Sequence, residues 1–230
     1  MKEEIINDII DGESREMPLI PLRGKVLFPG TILNFDVGRA TSVKAVEAAG
    51  VNGEIFIAAQ KNALIDNPLK KDICEIGVVS RIKQIAKLSN GTAKVSVVAL
   101  YRARRVFFSE SGEFFVVHVI KYDYKDPVYD METEANLRFA KSAFYDYAVT
   151  DPRIPREATN TIMEFKSPHV FVDNACSVVN FKDALMQEIL EEDDAILRLQ
   201  KFSTLFKREI AISKIEKKVA EKVKEGIDKS

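Results

Sequence analysis

Residues 18–38 read PLIPLRGKVLFPGTILNFDVG, and this stretch decides the fold. A first apolar run meets a Pro-Leu-Arg-Gly turn, a second breaks at Phe28-Pro29-Gly30, and a third ends at Gly38-Arg39. Short apolar runs separated by Pro and Gly predict short β-strands joined by tight turns. The segment carries no catalytic group, so we interpret it as architecture.

The same pattern continues to residue 124. Residues 54–60 form a near-continuous apolar run, which is typical of a strand covered on both faces. Asn90-Gly91 lies between alternating runs and predicts a two-residue hairpin turn. We therefore predict a β-rich domain over residues 18–124 that closes as a small barrel or a strongly curled sheet.

Helical spacing replaces strand spacing beyond Asp126-Pro127. One helix face is shared by Leu137, Ala140, Phe144, Tyr147 and Ala148. We predict a helical bundle over residues 125–190, and a charged, flexible arm over residues 1–17. The predicted fold class is α+β.

Residues 191–230 predict one long helix that begins near residue 193. Its later part keeps about one apolar residue per turn, at Ile215, Val219, Val223 and Ile227. A stripe this narrow buries little area within one chain, so we predict that these four residues contact another copy of the chain or a following domain.

Composition excludes several classes of protein. The 230 residues carry a formal net charge of -1, which disfavours a nucleic-acid partner because phosphate-binding surfaces usually have a basic excess. No apolar run approaches the length of a membrane span, and the start of the chain does not resemble a signal peptide. We expect a cytoplasmic protein with no membrane partner, in which Cys74 and Cys176 are buried small hydrophobes.

We find no catalytic, nucleotide-binding or metal-binding motif in this sequence. Gly24-Lys25 lacks the glycine loop of a phosphate-binding motif, and no serine lies in a nucleophile elbow. His118 is interpreted as a packing residue within a strand, and His169 as an exposed residue in the first turn of a helix. We expect no catalytic residue, no cofactor-binding residue and no metal ligand, and hence not an enzyme.

Two groups of residues suggest binding. Arg102, Arg104 and Arg105 form a candidate basic face with Arg81, Lys83, Lys87 and Lys94 on neighbouring strands. Such a face could bind RNA, but the near-zero net charge favours the simpler interpretation of solvated charge that protects a sheet edge. The apolar residues Leu27, Phe28, Ile32, Leu33 and Phe35 are the candidate contact for substrate polypeptide. Core packing is the alternative for most of these five residues.

The order of several short motifs resembles the amino-terminal region of the ATP-dependent Lon protease family. The matching pieces are Pro21-Leu22-Arg23 through Phe28-Pro29-Gly30, Val37-Gly38-Arg39, residues 59–63 (AQKNA), residues 75–79 (EIGVV), Asn90-Gly91-Thr92, residues 100–104 (LYRAR), and the helix from Lys207 to Val223. The resemblance covers residues 18–230. The nucleotide and Ser-Lys protease motifs of the family have no counterparts here.

This resemblance implies a PUA-like β domain, a helical bundle and a long helix that leads toward an ATPase domain. It also implies binding of unfolded, damaged or tagged protein substrates, and support for a homohexamer in a full-length parent. Two alternatives stay open. One is a stand-alone Lon-domain binding protein, and the other is an RNA-binding PUA-type module.

Overall fold

A computed structural model describes residues 14–109, 112–125, 127–182 and 184–228, with side chains through residue 224. The predicted arm over residues 1–17 therefore lies largely outside the described residues. The chain divides into two compact units. The first contains the described residues up to Asp123 together with Cys176–Glu191, and the second contains Tyr124–Ala175 and the residues from Glu192 onward.

The first unit is built on a six-stranded sheet. Its strands are β1 Arg15–Leu22, β2 Ile32–Val37, β3 Glu54–Ala59, β4 Ile76–Lys87, β5 Ala93–Phe108 and β6 Val116–Lys121. The strand order is β2-β5-β4-β3-β1-β6, and β6 also pairs with β5. Five strands thus form a closed ring, which confirms the predicted curled sheet.

The length of β5 makes this closure possible. One edge of β5 pairs with β4, while the opposite edge pairs with β2 over residues 93–98 and with β6 over residues 103–108. Register shifts interrupt β4 near Ser80 and β5 between Arg105 and Phe107. Such bulges bend strands and increase their twist, which a small closed sheet requires.

Local sequence signals explain the strand connections and the core. Gly91 has a φ of 82°, and the Asn90 side chain accepts a hydrogen bond from the Thr92 backbone N–H at 3.1 Å. A hairpin joins β4 and β5 at the predicted place, but its turn is longer than the predicted two residues. The Leu88 backbone N–H donates to the Thr92 carbonyl at 2.9 Å, and Gly91 but not Asn90 has a positive φ. Inside the sheet, the alternating apolar residues pack together, among them Leu19, Phe56, Val79, Val117 and Val119.

Helices complete both units. They are α1 Ala40–Ala49, α2 Met131–Ala148, α3 Arg156–Glu164, α4 Pro168–Ser177, α5 Ala184–Glu191 and α6 Ala195–Asp228. Asp130 caps α2 by accepting a hydrogen bond from the Thr133 backbone N–H at 2.8 Å. The α+β class is confirmed.

Aromatic side chains form the core of the second unit, where α2 packs against the first turns of α6. The rings of Phe202 and Phe206 stack at a centroid distance of 4.1 Å, and Phe144 meets Phe206 edge to face at 5.9 Å. Beyond Phe206, α6 is mostly exposed as far as its side chains are described. No helix among the described residues combines the length and hydropathy that crossing a membrane requires.

One segment differs from the predicted division. We expected residues 125–190 to form a single bundle, but Cys176–Glu191 groups with the sheet. Side chains anchor α5 there, because Gln187 donates to the Ile76 carbonyl at 3.0 Å and Arg102 donates to the Leu190 carbonyl at 2.8 Å. Helical spacing identified a helix but not the surface against which it packs.

Candidate functional site

The five predicted apolar contact residues separate into two groups. Leu27, Phe28 and Leu33 are buried, which agrees with the core interpretation for them. Ile32 is 70% exposed, and Phe35 is partly exposed. Only the β2 residues Ile32 and Phe35 are therefore accessible to a partner.

Strand β2 has an open edge. It pairs with β5 on one side, and no strand within the described ranges pairs with its other side. The Ala99 backbone N–H donates to the Thr31 carbonyl at 2.9 Å. This bond shows which residues of β2 direct their backbone groups toward β5. Because antiparallel ladders alternate, the backbone groups of Ile32, Asn34 and Asp36 point away from β5. We call residues 32–37, with this unpaired side, the β2 edge.

Two grooves follow the β2 edge. The first has a volume of about 410 Å³ and lies on the polar face of the sheet, where it is lined by residues that include Asn34, Asp36, Gln84, Lys94 and Ser96. The second has a volume of about 400 Å³ and is lined by residues 20–23 from the end of β1, residues 35–39 and Ser42. An extended segment placed along β2 would thus have accessible space on both sides of the strand.

Arg39 lines the second groove and fixes one of its walls. Its guanidinium donates to the Asp66 carbonyl at 2.8 Å, to the Pro21 carbonyl at 3.2 Å and to the Gln60 side-chain oxygen at 2.5 Å. Burial lowers the pKa of Arg39. Sequence reasoning noted Arg39 only as the end of an apolar run, since none of these acceptors lies near it in the sequence.

Arg102 does not contribute to the candidate basic face, because it is only 2% exposed. Its guanidinium donates to the carbonyls of Tyr122, Leu190 and Asp123 at 2.8–3.0 Å. Arg104 lies over the Tyr122 ring at 4.2 Å, and burial lowers the pKa of Arg105. The prediction of an exposed arginine cluster was wrong for Arg102, which has a structural role.

The histidines and cysteines also have packing roles. His118 stacks on Phe107 at 4.2 Å, with its Nε2 3.5 Å from a carboxylate oxygen of Glu16. His169 is buried and its Nε2 lies 2.9 Å from the Lys125 carbonyl, so the prediction of an exposed residue was wrong. Both cysteines are buried, as predicted, and burial raises the pKa of Cys74 to about 11. The described residues include no cluster of three or more His, Cys, Asp or Glu side chains that could hold a metal ion.

The stripe on the long helix is accessible. Ile215, Val219 and Val223 are 55–61% exposed on α6. The side chain of Ile227, the fourth predicted contact, lies outside the described residues. Ile215, Val219 and Val223 are therefore available to a second chain.

Comparison with known proteins shows the family to which the chain belongs. The family model described as "ATP-dependent protease La (LON) substrate-binding domain" matches residues 16–208. A Lon protease of Clostridioides difficile (strain 630) is 35% identical over 219 residues, which are 93% of this chain and 28% of that protein. A Lon protease of Bacillus thuringiensis (strain Al Hakam) is 35% identical over 217 residues, which are 94% of this chain and 27% of that protein. The chain thus spans somewhat more than a quarter of the length of these curated relatives.

Solved structures share the fold. The N-terminal domain of a Mycobacterium avium complex Lon protease superposes with a TM-score of 0.64 at 17% identity, covering 84% of this chain and 98% of that domain. A Lon N-terminal domain protein from Xanthomonas campestris gives a TM-score of 0.54 at 15% identity, covering 81% of this chain and 96% of that protein. At these identities, the likeness concerns the fold alone.

Proposed function

The chain belongs to the family of ATP-dependent protease La (LON) substrate-binding domains, and from this premise we propose that it binds unfolded polypeptide along the β2 edge. The observation that carries the proposal is the unpaired side of β2, together with the exposed Ile32. Bound segments would add as a further strand, a recognised mode of peptide capture. Binding is noncovalent, and this chain performs no catalytic step.

Pairing through the backbone would allow one site to bind segments of many different sequences. The outward N–H and C=O groups of Ile32, Asn34 and Asp36 would bond to the main chain of a substrate, which every polypeptide presents. Ile32 and Phe35 would contact apolar side chains that a folded protein hides. This combination favours unfolded or damaged proteins over folded ones.

We further propose that the chain acts as the substrate-recognising part of a longer ATP-dependent protease that assembles as a hexamer. The support is family membership and the fraction of the relatives' length that the chain spans. The exposed stripe of Ile215, Val219 and Val223 would contribute to self-association through pairing of long helices.

Capture of reduced, carboxymethylated casein by the purified chain tests the proposed function. Ile32→Asp places a charge at the β2 edge and should weaken casein binding by about tenfold or more, the equivalent of ~1.4 kcal/mol. Val51→Asp changes another exposed apolar residue outside β2 and should leave binding unchanged. Equal binding by the wild-type chain and Ile32→Asp would reject the β2 edge as the site.

A salt titration separates this proposal from the RNA alternative. The affinity for casein should change little between 50 and 200 mM salt, since binding through backbone hydrogen bonds and apolar contacts does not release counterions from a nucleic acid. A steep loss of affinity with salt, together with binding to single-stranded RNA, would instead favour a nucleic-acid function.

A further inference from the structure

A third concavity in the first unit, separate from the two grooves along β2, combines an apolar floor with a cationic rim. It has a volume of about 480 Å³, within the usual range of ligand sites. The apolar lining comes from the turn after β1, the end of β3 and the segment before α5, and includes Val26, Ala59 and Phe181. Lys25, Lys61 and Lys182 also line the cavity, with Glu188 as the acidic lining residue. We call this site the lysine cavity.

Positive charge is in excess in the lysine cavity, where three lysines and one carboxylate, that of Glu188, belong to the lining. Lys25 is half-buried, and burial lowers its pKa with no carboxylate acting in the opposite direction. The described carboxylates form no ion pair with Lys25, Lys61 or Lys182. A partly desolvated ammonium group without a counter-ion is unfavourable, so binding of an anion at this position is favoured.

The two properties together define the ligand chemistry. An apolar floor accepts an aliphatic or aromatic side chain, and an ammonium rim accepts a carboxylate close to it. A polypeptide presents both groups on one residue only at its carboxyl terminus, when the last residue is apolar. An internal acidic residue next to an apolar one would carry the charge on a different side chain, farther from the apolar group.

We propose that the lysine cavity binds the carboxyl terminus of a polypeptide whose last residue is apolar. The inference rests on the proposed role in binding polypeptides, but it concerns a site separate from the β2 edge. It gives the chain a means to select certain substrates by their ends, in addition to backbone pairing that is independent of sequence.

Fluorescence anisotropy of a labelled ten-residue peptide that ends in Ala-Leu tests the proposal. The peptide with a free carboxylate should bind the chain at least tenfold more tightly than the same peptide with a carboxyl-terminal amide, because the amide loses a charge-assisted hydrogen bond. Equal affinities for acid and amide would overturn the proposal.

Variants assign the effect to the cavity. Lys25→Gln should weaken binding of the acid about tenfold and leave the amide unchanged, while Lys25→Arg should retain the preference for the acid. Lys166→Gln, at an exposed lysine of the second unit, is the matched control and should behave as wild type. A Lys25→Gln chain that melts like wild type and keeps the preference would place the site elsewhere and overturn the proposal.

A carboxylate with an apolar tail could also come from a fatty acid. Binding of dodecanoate is therefore measured beside the free-acid and amide peptides. Dodecanoate binding without measurable binding of the free-acid peptide would overturn the proposal in favour of a lipid ligand. Ile32→Asp should keep the acid preference while weakening casein capture about tenfold or more. The two proposals can therefore fail separately, because casein binding tests the β2 edge and the preference for the free-acid peptide tests the lysine cavity.

Discussion

Arg102 shows how a single buried charge can join separate parts of a unit. Its guanidinium donates to three backbone carbonyls, one of them 88 residues away, and lies over the Tyr122 ring at 4.0 Å. Buried charges are tolerated when hydrogen bonds satisfy them, and the removal of one partner leaves the others unsatisfied. Arg102 thus links β5 to the end of α5.

Replacement of Arg102 should therefore destabilise the first unit. We expect Arg102→Met to lower the free energy of unfolding by about 3 kcal/mol, since the buried Leu190 carbonyl and two partly buried carbonyls lose their donor. Urea denaturation followed by circular dichroism measures the change. Lys83→Met, at an exposed lysine of β4, should change stability by less than about 0.5 kcal/mol. A loss below ~1 kcal/mol for Arg102→Met would contradict this role.

Arg102 also marks a limit of sequence reasoning. Strand spacing placed it correctly on β5, but nothing local indicated that the end of α5 would cover it. His169 was misplaced for the same reason, because its partner Lys125 lies 44 residues earlier in the chain. When a residue is buried by segments that are distant in the sequence, its sequence neighbours do not predict that it is buried.

Asp151 gives a prediction for pH. Its carboxylate accepts hydrogen bonds from the Arg153 guanidinium at 2.7–2.9 Å, from the Arg153 backbone N–H and from the Tyr147 hydroxyl. These contacts, the Arg153 side chain above all, lower the pKa of Asp151 from 3.8 to about 2. The stabilisation is present above the unfolded-state pKa and is lost as pH falls from about 4 toward 2.

Asp151→Asn should remove part of this acid sensitivity. Arg153 is exposed, so solvent screens its charge. We therefore expect protonation of Asp151 to lower the free energy of unfolding by on the order of 1 kcal/mol between pH 4 and pH 2. Urea denaturation at pH 7, 4 and 2.5 tests this. Asp146→Asn, at an exposed carboxylate on α2, should retain the wild-type dependence. An identical pH dependence in both variants would exclude Asp151 as a source.

At the scale of elements, the strands and helices follow closely from local patterns. Residues 54–60 predicted β3, Asn90-Gly91 predicted the β4–β5 turn, and the face that contains Phe144 predicted how α2 packs. The boundary of the helical bundle could not be predicted in this way. Helix α5 buries Met186, Ile189 and Leu190, and the hydrogen bonds of Gln187 and Arg102 attach it to the sheet.

The exposed stripe on α6 predicts self-association. Replacement of Val219 and Val223 together by Asp should leave the fold intact and lower the mass measured by light scattering, because charge would enter the apolar contact. Lys217→Asp, on the opposite face of the same helix, is the control and should leave the mass unchanged. A double variant with the mass of the wild-type chain would show that the stripe does not drive association.

At the scale of the whole molecule, two kinds of recognition are proposed for the first unit. The β2 edge offers main-chain hydrogen bonds and apolar contact, whereas the lysine cavity offers charge and apolar depth. The apolar pattern of the sequence predicted capture of polypeptide at residues that include Ile32 and Phe35, both of which are accessible on β2. It did not detect the lysine cavity, because Lys25, Lys61 and Lys182 are brought together only by the fold.

Amide hydrogen exchange at β2 tests the central claim most directly. In the free chain the amides of Ile32, Asn34 and Asp36 face away from β5 and should exchange rapidly, while those of Leu33 and Phe35 should be protected by the ladder. Reduced, carboxymethylated casein should slow exchange at Ile32, Asn34 and Asp36 and leave Leu33 and Phe35 little changed. Binding of casein with no protection at these three amides would contradict the account.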